Sequence, residues 1–392
     1  MPVISRLASS QRNDQGEVGR PRELACYSRS GDGHIDVNCD RNLRYYYFPD
    51  GDLDTNPSLS TGRGSFRDYR SSMDDVCSLH GLLQTIQSIE EIKQVKVKAH
   101  IITFRGIIRK LISVAFERRN RRSFSDVLNF RVVIFNGQLF IKEIKTRDLR
   151  EGNGRIDLNT FTGYKFESIL TLPKPLVLCT RDELEKRPSQ PVDNGDEYVS
   201  VVGTSVGGCR IILGAEVDGI YDFKDDQERA NNIPHYMELK CTKAVRDERD
   251  VHTFQNKLFR TWIQCFLVGI PRIIYGFRNE KYELASIEEY ATSEVPDMLG
   301  GSHAERSLDC RDAILWYGTV VDWLMGILSR YSGKASPMDV IPFRLTLQDG
   351  ELQLSDITPD DKEYDLIVNG DTVLSNEFTN WRKELHRKGQ MQ

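Results

Sequence analysis

The sequence predicts an α/β fold (mixed α+β), with a core of mixed β-sheets flanked by helices in a single large domain. Three observations lead there. Short β-branched and aromatic runs alternate with amphipathic stretches of helical period. Two pairs of those runs are joined at Asn136-Gly137 and Gly207-Gly208, which read as hairpin turns. No linker, internal repeat or low-complexity block divides the 392 residues, and 39% hydrophobic content at that length permits a sizeable core.

In chain order, residues 1–21 are polar without periodicity and read as a disordered tail. The domain spans 22–385, and 386–392 read as a flexible tail. Tyr45-Tyr46-Tyr47-Phe48 before Pro49 reads as a strand closed by a turn, a core cluster rather than a base-stacking platform. "HIITFRGIIRKLISVAFERR" holds a helix opened by Arg105, since Ile108, Leu111, Ile112 and Ala115 fall at i, i+3, i+4 and i+7. "NFRVVIFNGQLFIKEI" is a hairpin, and residues 145–160 a loop. A second hairpin, "EYVSVVGTSVGGCRIILGAEVDGIYDF", precedes a polar loop and the short strand "PHYMELKCTK". A long amphipathic helix follows, stopped by Gly269 and Pro271, then the strand "RIIYGF". Helices are predicted near 286–297 and 308–331, then the strands "FRLTL" and "ELQLS".

Composition excludes several classes. A net charge of −5 argues against coating nucleic acid through bulk positive potential, so any phosphate binding must be local. No apolar run reaches the roughly 20 residues that span a bilayer and the N-terminus lacks a secretory core, so an intracellular protein is expected. The eight cysteines form no CxxC and the histidines no HxH or HxxxH, which disfavours structural zinc and a disulfide framework.

The chemistry sits in "GAEVDGIYDF" and "YMELK". Side chains alternate across a strand, so Glu216 and Asp218 share a face, as do Glu238 and Lys240, with Met237, Leu239 and Cys241 turned to the core. If the two strands pair, three carboxylates gather around one amine. Such acids repel unless they stay protonated or a cation neutralises them. Mg²⁺ or Mn²⁺ suits carboxylate oxygen, and Lys240 beside such an ion would orient or deprotonate a water. The same alternation also suits the solvated face of an antiparallel sheet. The order strand ExD, strand ExK, amphipathic helix, strand matches a PD-(D/E)XK nuclease core.

Finer motifs carry a closer resemblance. "IITFRGIIRKLI", "FNGQLFIKE", "FTGYKFE", "LGAEVDGIYDF", "YMELKCTK" and "FRTWIQCFLVGIPRIIYGF" resemble the decapping exonuclease (DXO) family, most closely its nuclear branch, over about residues 22–385. The resemblance implies that Arg105 contacts substrate phosphates and that Glu167 is a metal or metal-water ligand. It implies Glu216, Asp218 and Glu238 as catalytic metal ligands, joined by the main-chain carbonyl of Leu239. Lys240 and Gln264 are implied to be catalytic and to bind substrate, Gln264 by holding the nucleophilic water. By themselves Arg105 could be a helix-end salt bridge and Gln264 a satisfied core amide. The basic run Glu117–Arg122 reads as a solvated helix end, a local RNA-backbone patch in line with Arg105 and Arg109, or an import signal.

The expectation is therefore a Mg²⁺- or Mn²⁺-dependent hydrolase of faulty RNA 5′ ends in the nucleus. It would take pyrophosphate from triphosphate ends and remove unmethylated caps, NAD caps among the candidates, leaving monophosphate RNA for a partner 5′-to-3′ exoribonuclease. The competing expectations are a chiefly non-catalytic stabilising subunit of that exoribonuclease and a DNA nuclease of the wider superfamily.

Overall fold

The computed structural model describes residues 3–13, 16–73, 75–113, 115–116, 128–144, 156–227, 230–300, 308–333, 336–348 and 350–390. The basic run Glu117–Arg122 lies outside them. Two mixed sheets form the frame. The larger has ten strands in the spatial order Val3–Ala8, Glu351–Asp356, Ile341–Gln348, Asn129–Phe135, Gln138–Glu143, Ile101–Phe104, Cys209–Glu216, Glu197–Val206, Arg22–Arg29 and Ile35–Val37. The smaller runs Leu284–Ala291, Arg272–Arg278, Tyr236–Lys243, Gly219–Ile220, Tyr45–Tyr46 and Thr171–Leu172.

Both predicted hairpins form. Asn136 and Gly137 take φ of 50° and 71°, the left-handed pair that a two-residue turn between right-twisted strands demands. Ile101–Phe104 lies between Gln138–Glu143 and Cys209–Glu216 and is parallel to both, so three strand ends point the same way. Crevices at the carboxyl ends of parallel strands are the usual ligand sites of such sheets.

The main core lies between the sheets. Ile211, Leu213 and Ala215 face Tyr236, Ile273 and Tyr275 across helices Arg105–Ser113, Glu248–Val268 and Cys310–Tyr331. On the far side of the large sheet, helices His80–Lys93 and Asn376–Gln390 cover Ile102, Val133, Phe140 and Ile212. On the far side of the small sheet, Phe166, Ile169 and Leu170 of helix Leu158–Leu170 cover Met237, Leu239 and Ile274. At roughly 25 cal/mol per Å² of apolar surface, this burial on both faces of both sheets is the main favourable term.

Several sequence expectations are corrected. The segment expected as a disordered N-terminal tail supplies the edge strand Val3–Ala8, paired with Glu351–Asp356 and pinned by Trp323 Nε1 donating to Ser5 Oγ at 2.8 Å. Helix Asn376–Gln390 runs through most of the supposed C-terminal tail. The helix does start at Arg105 as expected, and the residues ahead of it, 101–104, are strand, because Ile101 and Ile102 are β-branched and buried on opposite faces of a sheet. The region 286–291, expected as helix, belongs to strand Leu284–Ala291, and the helix is Val295–Gly300. Pairing with Arg272–Arg278 through a hairpin that holds Tyr282 at φ 62° overrides its local helical preference.

Candidate active site

The two carboxylates of ExD do not lie in a strand interior. The strand Cys209–Glu216 ends at Glu216, Val217 N donates to Tyr198 O at 3.1 Å, and Gly219–Ile220 joins the other sheet. Asp218 therefore stands where the chain crosses between sheets. The ExD strand does not pair with the ExK strand directly; the two-residue piece Gly219–Ile220 makes that link, Gly219 opposite Met237. A Cβ on Gly219 would lie 2.9 Å from both Arg44 O and Met237 Cε, so only glycine fits the crossing.

Arg105 opens its helix directly after Phe104, which neighbours Gly214 across the parallel pair. Its buried guanidinium donates from Nη2 to Glu216 O at 3.0 Å and from Nη1 to Glu238 Oε2 at 3.2 Å. Glu238, fully buried in the centre of the small sheet, also accepts from Lys240 Nζ and from Gln264 Nε2. Lys240 Nζ donates to Leu239 O at 2.9 Å and lies 3.7 Å from Asp218 Oδ2. Leu239 N donates to Asp218 Oδ2 at 2.6 Å. Gln264 reaches in from helix Glu248–Val268, whose apolar residues Ile263, Leu267 and Val268 fix its rotation against the main core. Glu167 comes from the opposite side, on the helix that Phe166 anchors by packing onto Gly276, where a Cβ would sit 2.2 Å from the ring.

The electrostatics separate the acids. Burial pushes Glu238 up, but Lys240 and Arg105 outweigh it and hold the carboxyl below its ordinary value. Burial, then the Glu238 charge, pushes Asp218 up to about 7 against Lys240 and the Leu239 N–H. Burial and the Asp218 charge raise Glu167 well above the usual carboxylate range. Burial would lower Lys240, yet Glu238, Asp218 and Glu167 together raise it, so it stays an ammonium.

All eight sequence-predicted residues, Arg105, Glu167, Glu216, Asp218, Glu238, Leu239, Lys240 and Gln264, belong to this seam. Glu216 stands at its rim, with its side chain 48% exposed and Oε1 accepting from Arg70 Nη2 at 3.0 Å. Among the described residues no three His, Cys, Asp or Glu side chains are drawn close enough to cage an ion as they stand. Glu238 is engaged by three side-chain donors and Asp218 by one main-chain donor. The donor set nonetheless fits a hard divalent cation: carboxylate oxygens and the Leu239 carbonyl, with two acids raised by burial and by neighbouring carboxylates.

Two cavities meet at Glu216, Glu197 and Arg70. One is a cleft of about 810 Å³ whose wall carries Arg29, Arg70, Arg105, Arg109 and Lys110. The other, about 120 Å³, reaches Glu167 and Asp218. Sequence reasoning missed Arg29, Arg70 and Glu197, because they lie on separate, distant segments and form no spacing pattern.

None of the eight cysteines forms a disulfide, and among the described residues no helix is long and apolar enough to cross a membrane. The family model described as RAI1 like PD-(D/E)XK nuclease matches residues 19–379. The chain is 46% identical to the decapping nuclease RAI1 of Saccharomyces cerevisiae, over 98% of this chain and all of that protein. It is 45% identical to the Kluyveromyces lactis protein of the same name, over 99% and 100%. The Candida albicans Rai1 structure in complex with pU5-Mn²⁺ superimposes with a TM-score of 0.83 at 30% identity, over 97% of this chain and 99% of that one. The Scheffersomyces stipitis Rai1 structure with (3′-NADP)⁺ and calcium gives 0.84 at 28% identity, over 97% and 100%.

Proposed function

The chain belongs to the RAI1-like PD-(D/E)XK nuclease family, and from that membership we propose how its site works on RNA 5′ ends. It is a divalent-metal-dependent decapping nuclease, a hydrolase acting at the 5′ end of RNA. The observation that carries the residue assignment is the convergence of Arg105, Lys240 and Gln264 on the Glu238 carboxylate, beside Asp218 and Glu167, where a cleft lined by Arg29, Arg70 and Arg105 reaches the seam.

Glu167, Glu216, Asp218, Glu238 and the Leu239 carbonyl would hold Mg²⁺ or Mn²⁺, which supplies Lewis-acid polarisation and a water of lowered pKa. The chain's own groups do the rest. Arg105, braced by Glu216 O and Glu238, presents a guanidinium to a substrate phosphate, where a charge-assisted contact both binds and aligns. Gln264 gives one amide hydrogen to Glu238 and keeps its carbonyl to accept a hydrogen bond from the attacking water, which orients it. Lys240 balances negative charge as it builds at phosphorus, because an ammonium among carboxylates cannot leave its proton there cheaply.

The same attack removes pyrophosphate from a triphosphate end or a cap with its first nucleotide, unmethylated and NAD caps being the forms assigned. The monophosphate product suits a nuclear 5′-to-3′ exoribonuclease as protein partner and the nucleus as the place of work. Purified protein with Mg²⁺ or Mn²⁺ and 5′-triphosphate RNA should release pyrophosphate and leave monophosphate RNA, whereas the matching DNA should react poorly. Release of nothing but internal fragments, or equal action on DNA, would sink the reading. Glu216→Gln should abolish 5′-end hydrolysis and leave co-purification with the exoribonuclease intact.

A further inference from the structure

Arg70 lies at the junction of the two cavities and lines both. Its Nη2 donates to Glu216 Oε1 at 3.0 Å and to Glu197, whose carboxylate also takes Arg29 Nη2 at 2.6 Å. The mount is rigid: Asp68 caps the short turn of helix that carries Arg70, Asn194 Oδ1 accepts from Arg70 N at 3.2 Å, and Asn194 Nδ2 donates to Asp68 Oδ1 at 2.8 Å. Yet Arg70 Nε and Arg29 Nε are buried without any hydrogen-bond partner. Two guanidiniums aimed into one cleft with unused N–H groups are the donor set that a phosphate group takes up.

Charge counting points the same way. Arg29 and Arg70 face Glu197 and Glu216, a balanced four; once Glu216 is committed to a divalent ion, the pair of arginines is left with one carboxylate. Arg105, Arg109 and Lys110 line the same cleft together with Asp32, Asp75 and Glu143, the last paired with Lys110.

We propose that Arg70, anchored by Glu197 and Arg29, is a second phosphate-contacting residue of this site, which grips the RNA 5′-terminal phosphate group opposite Arg105. The inference rests on the 5′-end reading above. A role confined to neutralising Glu216 and Glu197 would leave recognition of the terminal phosphate untouched, and the two differ in what binding measures.

The test uses the full chain with Mg²⁺ and a pentanucleotide RNA of phosphorothioate linkages, which resists cleavage, carrying either a 5′-monophosphate or a 5′-hydroxyl. Fluorescence anisotropy should show wild type preferring the phosphorylated strand. Arg70→Ala should lose about tenfold to a hundredfold of that preference, the range for one charged hydrogen-bond pair, with 5′-hydroxyl binding changed less than about threefold. Arg70→Lys keeps the charge without the fork and should lose at least about threefold. An undiminished preference in Arg70→Ala, or in Arg70→Lys should the alanine variant not fold, overturns the inference alone. So does an equal loss for both strands. A wild type with no preference for the phosphorylated strand overturns both the inference and the 5′-end reading.

Discussion

Two of the ion clusters among the described residues differ in their balance of charge. Beneath helix His80–Lys93, Glu90 and Arg382 meet with both side chains fully buried. Glu90 Oε2 takes Arg382 Nε at 2.6 Å and Trp381 Nε1 at 3.0 Å, and Oε1 takes Val97 N at 2.8 Å. Arg382 Nη1 continues to Asn136 Oδ1 and Gln138 Oε1, so the C-terminal helix is tied to the first hairpin. One anion meets one cation, and the acceptors of Glu90 are filled. At the seam between the sheets, Glu167, Glu216, Asp218 and Glu238 meet Arg105, Lys240 and the rim residue Arg70. Burial, and then the charge of the neighbouring carboxylates, raises Asp218 and Glu167. A balanced buried pair fastens the fold; an unbalanced one is a site for a cation from outside.

The contrast can be broken by substitution. Arg382→Ala strands the Glu90 charge in the core and should cost about 3–5 kcal/mol of stability. Turnover per folded molecule should stay near wild type in that variant, which a thermal melt and an active-fraction assay would separate. Glu238→Gln at the other cluster should lower 5′-end hydrolysis by about 10²–10³-fold, the size of a lost transition-state charge contact, with a smaller loss of melting temperature than Arg382→Ala, because Asp218 and Glu167 still face Lys240. Equal losses of stability in the two variants would erase the distinction.

Smaller effects sharpen it. Gly276→Ala drives a methyl group into Phe166 and should cost about 1–3 kcal/mol, and because Glu167 follows Phe166 it should also weaken divalent-ion binding by calorimetry. Ion binding also carries a sign with pH. Asp218 binds its proton up to about pH 7 in the native state but only to its ordinary value when unfolded. The native state thus holds the extra proton between roughly pH 4 and 7, and stability falls as pH rises through that window. A divalent ion must displace this proton, so its apparent affinity should drop about tenfold per pH unit below 7 and level off above it. The gain in melting temperature from Mg²⁺ or Mn²⁺ should be larger at pH 8 than at pH 6; an equal gain at both would refute the assignment of Asp218 as a ligand.

Much of this was legible from residue order. Asn136-Gly137 announced its hairpin, since few other residue pairs tolerate two left-handed conformations. The parity of Glu238 and Lys240 against Met237 and Leu239 was correct, as was the helix that carries Gln264. Val3–Ala8 looked formless because its partner, Glu351–Asp356, lies at the other end of the chain.

The sequence by itself determined which side chains could do the chemistry: their types, their alternation along ExD and ExK, and the order of strand and helix that surrounds them. Only the tertiary structure decided that ExD straddles the gap between two sheets, that Arg105 bridges Glu216 and Glu238, and that Arg29 and Arg70 join them across Glu197. Periodicity is a local property that the backbone enforces within a few residues. Which distant charges share one low-dielectric seam depends on how two sheets pack, and no spacing along the chain encodes that.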